Sequence, residues 1–123
     1  DISNVVAILD EVIEAGYKPI LAHPELYINY RNIDDIIKIK ETGTLLQMDA
    51  TSIVKGKSDR KVYKFSKKLL KERLIDIVSS DAHCTKKRNH ITYKKAYKKV
   101  ARKYTKKYAD ILFKENAKMI VEC

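Results

Sequence analysis

Apolar positions along this chain recur at two alternating spacings. Ile2, Val5, Val6, Leu9, Val12 and Ile13 fall three or four apart, which predicts an amphipathic helix over residues 2–15. Gly16 follows, where a helix cap favours positive φ. The short run Pro19-Ile20-Leu21-Ala22, stopped by His23-Pro24, reads instead as a buried strand. The alternation then repeats. Residues 32–42 predict a helix with Ile33, Ile36 and Ile37 on one face, closed by Gly43, and residues 44–49 predict a strand. A loop around Gly56 leads to a helix over 59–72, with Val62, Phe65, Ser66, Leu69 and Leu70 inward, and then to a strand over 74–79. Helical spacing resumes near Thr92, and Asn116 is placed to cap a last short helix. Parallel strands require helical crossovers, so this order predicts a parallel α/β fold.

Composition narrows the picture further. The chain has 123 residues, of which 45% are hydrophobic and 34% charged, as in one soluble domain able to bury a core without disulfides. No apolar run is long enough for a membrane-spanning helix, and residues 1–30 do not read as a secretory leader. Two cysteines, Cys84 and Cys123, make neither a disulfide framework nor a zinc knuckle, so a reducing, cytoplasmic setting is expected. The net charge of +10 bears on partners rather than fold.

In parallel α/β folds, ligands bind where strands end and loops begin. The three strand ends read His23-Pro24-Glu25, Gln47-Met48-Asp49 and Ser79-Ser80-Asp81-Ala82-His83. Asp81 and His83 are two apart, so extended backbone sends both side chains to one side. A carboxylate and an imidazole there suit a divalent metal, and His23 can converge from the neighbouring strand. Weighed against this is the plain reading that each histidine hydrogen-bonds a nearby loop. Asp49 shares parity with Gln47 and is expected as a further ligand or a ligand's hydrogen-bond partner. Glu25 is expected to support the turn or a ligand, because Pro24 redirects the chain after His23. Gln47 reads as structural, and His90, in a basic stretch, as surface.

Ile20 to Glu25, Leu45-Leu46-Gln47 and Ser80 to Arg88, with Tyr108 to Asn116 near the C-terminus, resemble bacterial protein-tyrosine phosphatases of the polymerase and histidinol phosphatase (PHP) superfamily. These are metal-dependent hydrolases linked to capsule and exopolysaccharide synthesis. The resemblance implies a PHP-type distorted β/α barrel with divalent metals, manganese by expectation, at the strand C-termini. Residues 1–123 would form a single partial PHP domain, the C-terminal part of that barrel. By the same resemblance His23, Asp81 and His83 are metal ligands, and Arg88 contacts phosphate. Metal-bound hydroxide then attacks phosphorus in line while an arginine fork stabilises the phosphoryl oxygens. The implied partner is a phosphotyrosine protein, a bacterial tyrosine kinase of polysaccharide synthesis.

This chain departs from the family pattern twice. Leu26 stands where the family carries a phosphate-binding arginine, and no His-x-His element occurs anywhere. The isolated chain is therefore expected to be weak or inert as a phosphatase and to expose a strand edge open to self-association. The alternative is a non-catalytic basic binding module for nucleic acid or an acidic protein. A Cys-based phosphatase is excluded, since only three residues, none of them Gly, separate Cys84 from Arg88.

Eleven of the twenty-two residues from Lys86 to Lys107 are Lys or Arg, interleaved with Tyr93, Tyr97 and Tyr104. Lysines among aromatics can bind nucleic acid by phosphate contact and base stacking. However, Tyr93, Tyr97, Val100, Tyr104, Tyr108 and Ile111 form one helical stripe, so the tyrosines are expected against the core and the lysines in solvent. Nucleic acid is accordingly the weaker reading and a solvated charged face the stronger one; a basic rim would in addition steer acidic phosphopeptides toward the site.

Overall fold

The computed structural model describes residues 2–26, 32–80 and 87–118, side chains of 87–90 excepted. Helices α1 (Ile2–Glu14), α2 (Ile33–Glu41), α3 (Arg60–Lys71), α4 (Lys87–Lys103) and α5 (Lys106–Asp110) alternate with strands β1 (Ile20–Ala22), β2 (Leu45–Asp49) and β3 (Ile77–Ser79) as far as α4. The strands form a parallel sheet in the order β1-β2-β3. This is the parallel α/β architecture that the spacing predicts.

Local chemistry sets the helix ends. Asn32 and Asp59 accept the amides of Asp34 (3.1 Å) and Lys61 (2.7 Å), satisfying N-terminal donors of α2 and α3. Gly43 follows α2 at φ 97°. Its absent Cβ would meet only Ile13 Cδ1, at 3.9 Å, so the backbone and not crowding requires glycine there. Gly43→Ala is expected to cost about 1–2 kcal/mol in urea unfolding, the penalty for a Cβ in left-handed backbone. A loss near zero would show that the turn relaxes.

The register brings Leu21, Leu46 and Val78, or their neighbours of like parity, onto one sheet face, where Leu46 and Met48 are fully buried. Ile36, Leu69, Val100 and Leu112 pack into that core. The opposite face carries Ala22, Gln47, Ile77 and Ser79, and Gln47 Nε2 donates to Ser79 Oγ at 2.8 Å. That face is mixed, with apolar Ala22 and Ile77 beside the polar Gln47–Ser79 pair. Gln47 is structural, as expected.

Several expectations shift in detail. Ile39, not Ile37, shares the buried face of α2 with Ile36, because three-residue spacing aligns them. The strand expected from residue 74 starts at Ile77, since Asp76 spends its carboxylate elsewhere. Asp76 Oδ2 accepts the Leu46 amide at 2.8 Å and the Lys40 ammonium at 2.5 Å. Asn116 caps no helix start; its side chain donates to the Asp76 carbonyl at 2.7 Å. α4 begins at Lys87, earlier than its apolar spacing predicts, and stops at Lys103. Thr105 then caps α5 by accepting the Tyr108 amide at 3.0 Å, so the tyrosine stripe spans two helices. It does pack inward. Tyr93 and Tyr97 meet Phe113 edge-on, and Tyr93 donates to the Phe113 carbonyl at 2.7 Å.

Candidate functional site

The C-terminal ends of β1 and β2 converge around His23, Glu25 and Asp49. The His23 amide continues the β1–β2 ladder, donating to the Gln47 carbonyl at 2.7 Å. Its backbone then turns left-handed, with φ 57°, and enters a single 3-10 turn over Pro24–Leu26. A non-glycine residue there stores of order 1 kcal/mol of strain. Such strain alone does not mark a site, since Arg73 adopts the same conformation merely to end α3.

That turn carries Glu25 inward, where it is 2% exposed. Its Oε2 accepts the Asp49 amide at 3.0 Å and the Ser52 hydroxyl at 2.8 Å. Burial pushes the Glu25 carboxyl above the usual range; these hydrogen bonds and the neighbouring His23 oppose the rise. Asp49 in turn caps the 3-10 turn Ala50–Ser52, accepting the Thr51 amide at 3.0 Å. The expected supporting role of Glu25 thus takes definite form: it clamps the corner beyond β2. The partner that sequence reasoning missed is Ser52. A buried serine three residues past a strand gives no periodic signal.

Two atoms in this corner are left without partners. His23 Nδ1 and Glu25 Oε1 are buried and make no hydrogen bond. An unpartnered buried polar atom is costly. An imidazole nitrogen and a carboxylate oxygen left free at a strand end are donor types that a divalent cation accepts. The residues present therefore fit a metal. Asp81, His83, Cys84 and Arg88 were singled out from sequence; Asp81, His83 and Cys84 lie outside the described residues, as do the side chains of Arg88 and His90. The backbone of Arg88 belongs to the first turn of α4, which follows β3. Among the described residues no three His, Cys, Asp or Glu side chains gather as a metal cage. Nor is any described helix long and apolar enough to cross a membrane.

A second charged cluster borders the same corner. Lys99 donates to the Ile53 carbonyl at 3.0 Å and hydrogen-bonds the Tyr63 hydroxyl. That ammonium, with the charges of Lys67 and Lys55, holds the Tyr63 phenol below its usual range. Sequence periodicity could not find the cluster, because Tyr63 lies on α3 and Lys99 on α4.

A three-stranded parallel sheet joined by crossover helices, with a histidine and carboxylates at its strand ends, defines a parallel α/β fold. The family described as Capsular polysaccharide synthesis, CpsB/CapC, matches residues 1–122. This chain belongs to that family. It is 33% identical over 119 residues to tyrosine-protein phosphatase CpsB of Streptococcus agalactiae serotype III, covering 93% of this chain and 49% of that protein. It is 34% identical over 83 residues to tyrosine-protein phosphatase YwqE of Bacillus subtilis, covering 67% of this chain and 32% of the relative. The fold superposes on a solved structure from work on YwqE of B. subtilis and CpsB of Streptococcus pneumoniae, described as unique metal-dependent tyrosine phosphatases. The TM-score is 0.84 at 26% identity, over 96% of this chain and 47% of the other. The chain thus spans about half the length of these relatives.

Proposed function

We propose that this chain supplies the second half of a metal-dependent phosphatase acting on phosphotyrosine proteins, with His23, Asp81 and His83 as metal ligands. The observation that carries the reading is the buried, unpartnered Nδ1 of His23 beside the unpartnered Oε1 of Glu25. Family membership and the relatives' activity point the same way. When bound, divalent metal supplies Lewis acidity toward water and the phosphoryl oxygens; manganese, the metal we propose, suits the carboxylate donor.

The chain's own residues do the positioning. The left-handed backbone at His23 turns the chain at the end of β1, and the Glu25 clamp fixes the adjacent β2 corner. Arg88, one residue into α4, offers a planar fork for the phosphoryl oxygens. Leu26 offers none, so phosphate is held by one arginine fewer than in the family pattern. The partner we propose is a bacterial tyrosine kinase of polysaccharide synthesis, met in the cytoplasm. Nucleic acid is disfavoured because Tyr93, Tyr97, Tyr104 and Tyr108 are partly buried against the core, which reduces the ring area open to base stacking. Among the described residues β1 and β3 each pair on one side only, which leaves edges for the missing half or for a second copy.

The test is turnover of a phosphotyrosine peptide by this chain joined behind the first half of the S. agalactiae relative. Activity is expected with manganese and is expected to vanish on chelation. Activity that survives complete chelation would remove the metal mechanism.

A further inference from the structure

On α4 the residues Lys95, Lys98, Lys99, Arg102 and Lys103 are spaced three, one, three and one apart, which sets five cations along a single stripe. They line an open groove of about 410 Å³. Lys67 of α3 adds its charge from the facing helix. Lys103 is held below the usual lysine range by burial first, then by the repulsion of Lys67 and Lys99. Among the described residues, acidic side chains take no part in lining the groove. So dense a set of like charges is self-repelling, and an anionic ligand relieves it.

Two features select the ligand. Two rings lie near this groove: Tyr63, with the Lys67 and Lys99 ammonium groups 5.6 and 4.3 Å from its centroid, and Tyr104, with Lys103 at 5.8 Å and Arg73 at 4.6 Å. Cations already stand over both rings, so a nucleobase would have to displace them and single-stranded nucleic acid loses part of its stacking contribution. Spacing is the second feature. Lys95 to Lys103 spans about 12 Å of helix at 1.5 Å per residue. Alternate side chains of an extended peptide lie about 6.8 Å apart on one side, so two or three acidic residues at alternate positions match that length.

We propose that this groove docks an extended acidic peptide segment of a protein partner. Its position suits a substrate-docking surface. Lys99 is anchored on the Ile53 carbonyl, one residue beyond the turn that Asp49 caps and Ser52 ties to Glu25. The groove and the strand-end site therefore share one structural corner. That the acidic segment belongs to the phosphotyrosine substrate is the only part resting on the phosphatase reading.

The experiment measures binding of a labelled, unphosphorylated peptide of alternating Glu and Ser to the full 123-residue chain. Lys95→Glu/Lys98→Glu/Arg102→Glu is expected to weaken binding at least about tenfold. The charge-matched Lys61→Glu/Lys64→Glu/Lys68→Glu, on exposed positions of α3, is expected to stay within about twofold, because those charges lie outside the groove. If the reversal unfolds α4, Lys95→Gln/Lys98→Gln/Arg102→Gln gives the same reading without new like-sign clashes. Equal losses in both triple variants would mean a general charge effect and overturn the proposal. So would unchanged affinity in the groove variant, or tighter binding of a DNA duplex through the same residues. Binding needs no catalysis, so a chain that docks the peptide yet hydrolyses nothing when completed retains the groove and loses only the phosphatase reading.

Discussion

His23→Ala, in this chain joined to the missing half, is expected to lower phosphotyrosine turnover by more than about a hundredfold. Even residues that merely support a metal ligand cost about 10–100-fold when removed, and His23 is proposed as a ligand itself. The substitution deletes the buried Nδ1 that lacks a protein partner. It keeps a Cβ in the left-handed backbone at φ 57°, so the chain gains no relief of strain. His23→Gly separates the two contributions. Glycine relaxes the backbone and stabilises the fold by up to about 1 kcal/mol, yet is expected to lose the same activity. Were His23→Gly to retain turnover, the imidazole would be structural and the site would lie elsewhere.

Glu25→Ala is expected to cost about 3–5 kcal/mol of stability, a large share of the 5–15 kcal/mol typical of a domain. The carboxylate is 2% exposed and accepts two donors, the Asp49 amide and the Ser52 hydroxyl. Alanine leaves both buried without an acceptor, each at about 1–3 kcal/mol, and adds a cavity. Ser52→Ala removes one of those donors and is expected to cost only about 1 kcal/mol. In the double variant the Ser52 contribution should largely disappear, because its partner is already gone. Urea unfolding of the four proteins measures this coupling. Additive losses would mean that the Glu25–Ser52 contact does not hold the corner.

The sequence revealed those parts of the molecule that repeat. Helix-strand alternation was legible because buried strands are short, unbroken apolar runs, whereas α1 and α3 keep three-four spacing. The tyrosine stripe was legible for the same reason. What escaped depends on contacts between distant segments. Asp76 shortens β3 by bonding Leu46 and Lys40, and nothing in the sequence around residue 76 announces those partners. Asn116 resembles a helix cap locally but serves the Asp76 carbonyl. At the strand ends, the sequence placed His23, Glu25 and Asp49 in one corner, where Glu25 accepts the Asp49 amide. Ser52 and the Tyr63–Lys99 pair stayed hidden, since each joins residues more than twenty positions apart.

The central claim is that strand-end ligands from this chain make a phosphatase only when the rest of the barrel is present. Its most direct measurement is phosphotyrosine-peptide turnover with manganese, for the chain alone, the completed protein, and the completed protein carrying Asp81→Asn or His83→Ala. Turnover is expected only in the completed protein without substitutions, and it should be abolished by chelation. Robust turnover by the chain alone that disappears with Asp81→Asn would show that the half-barrel is self-sufficient. Turnover that persists in both substituted proteins would contradict the metal site itself.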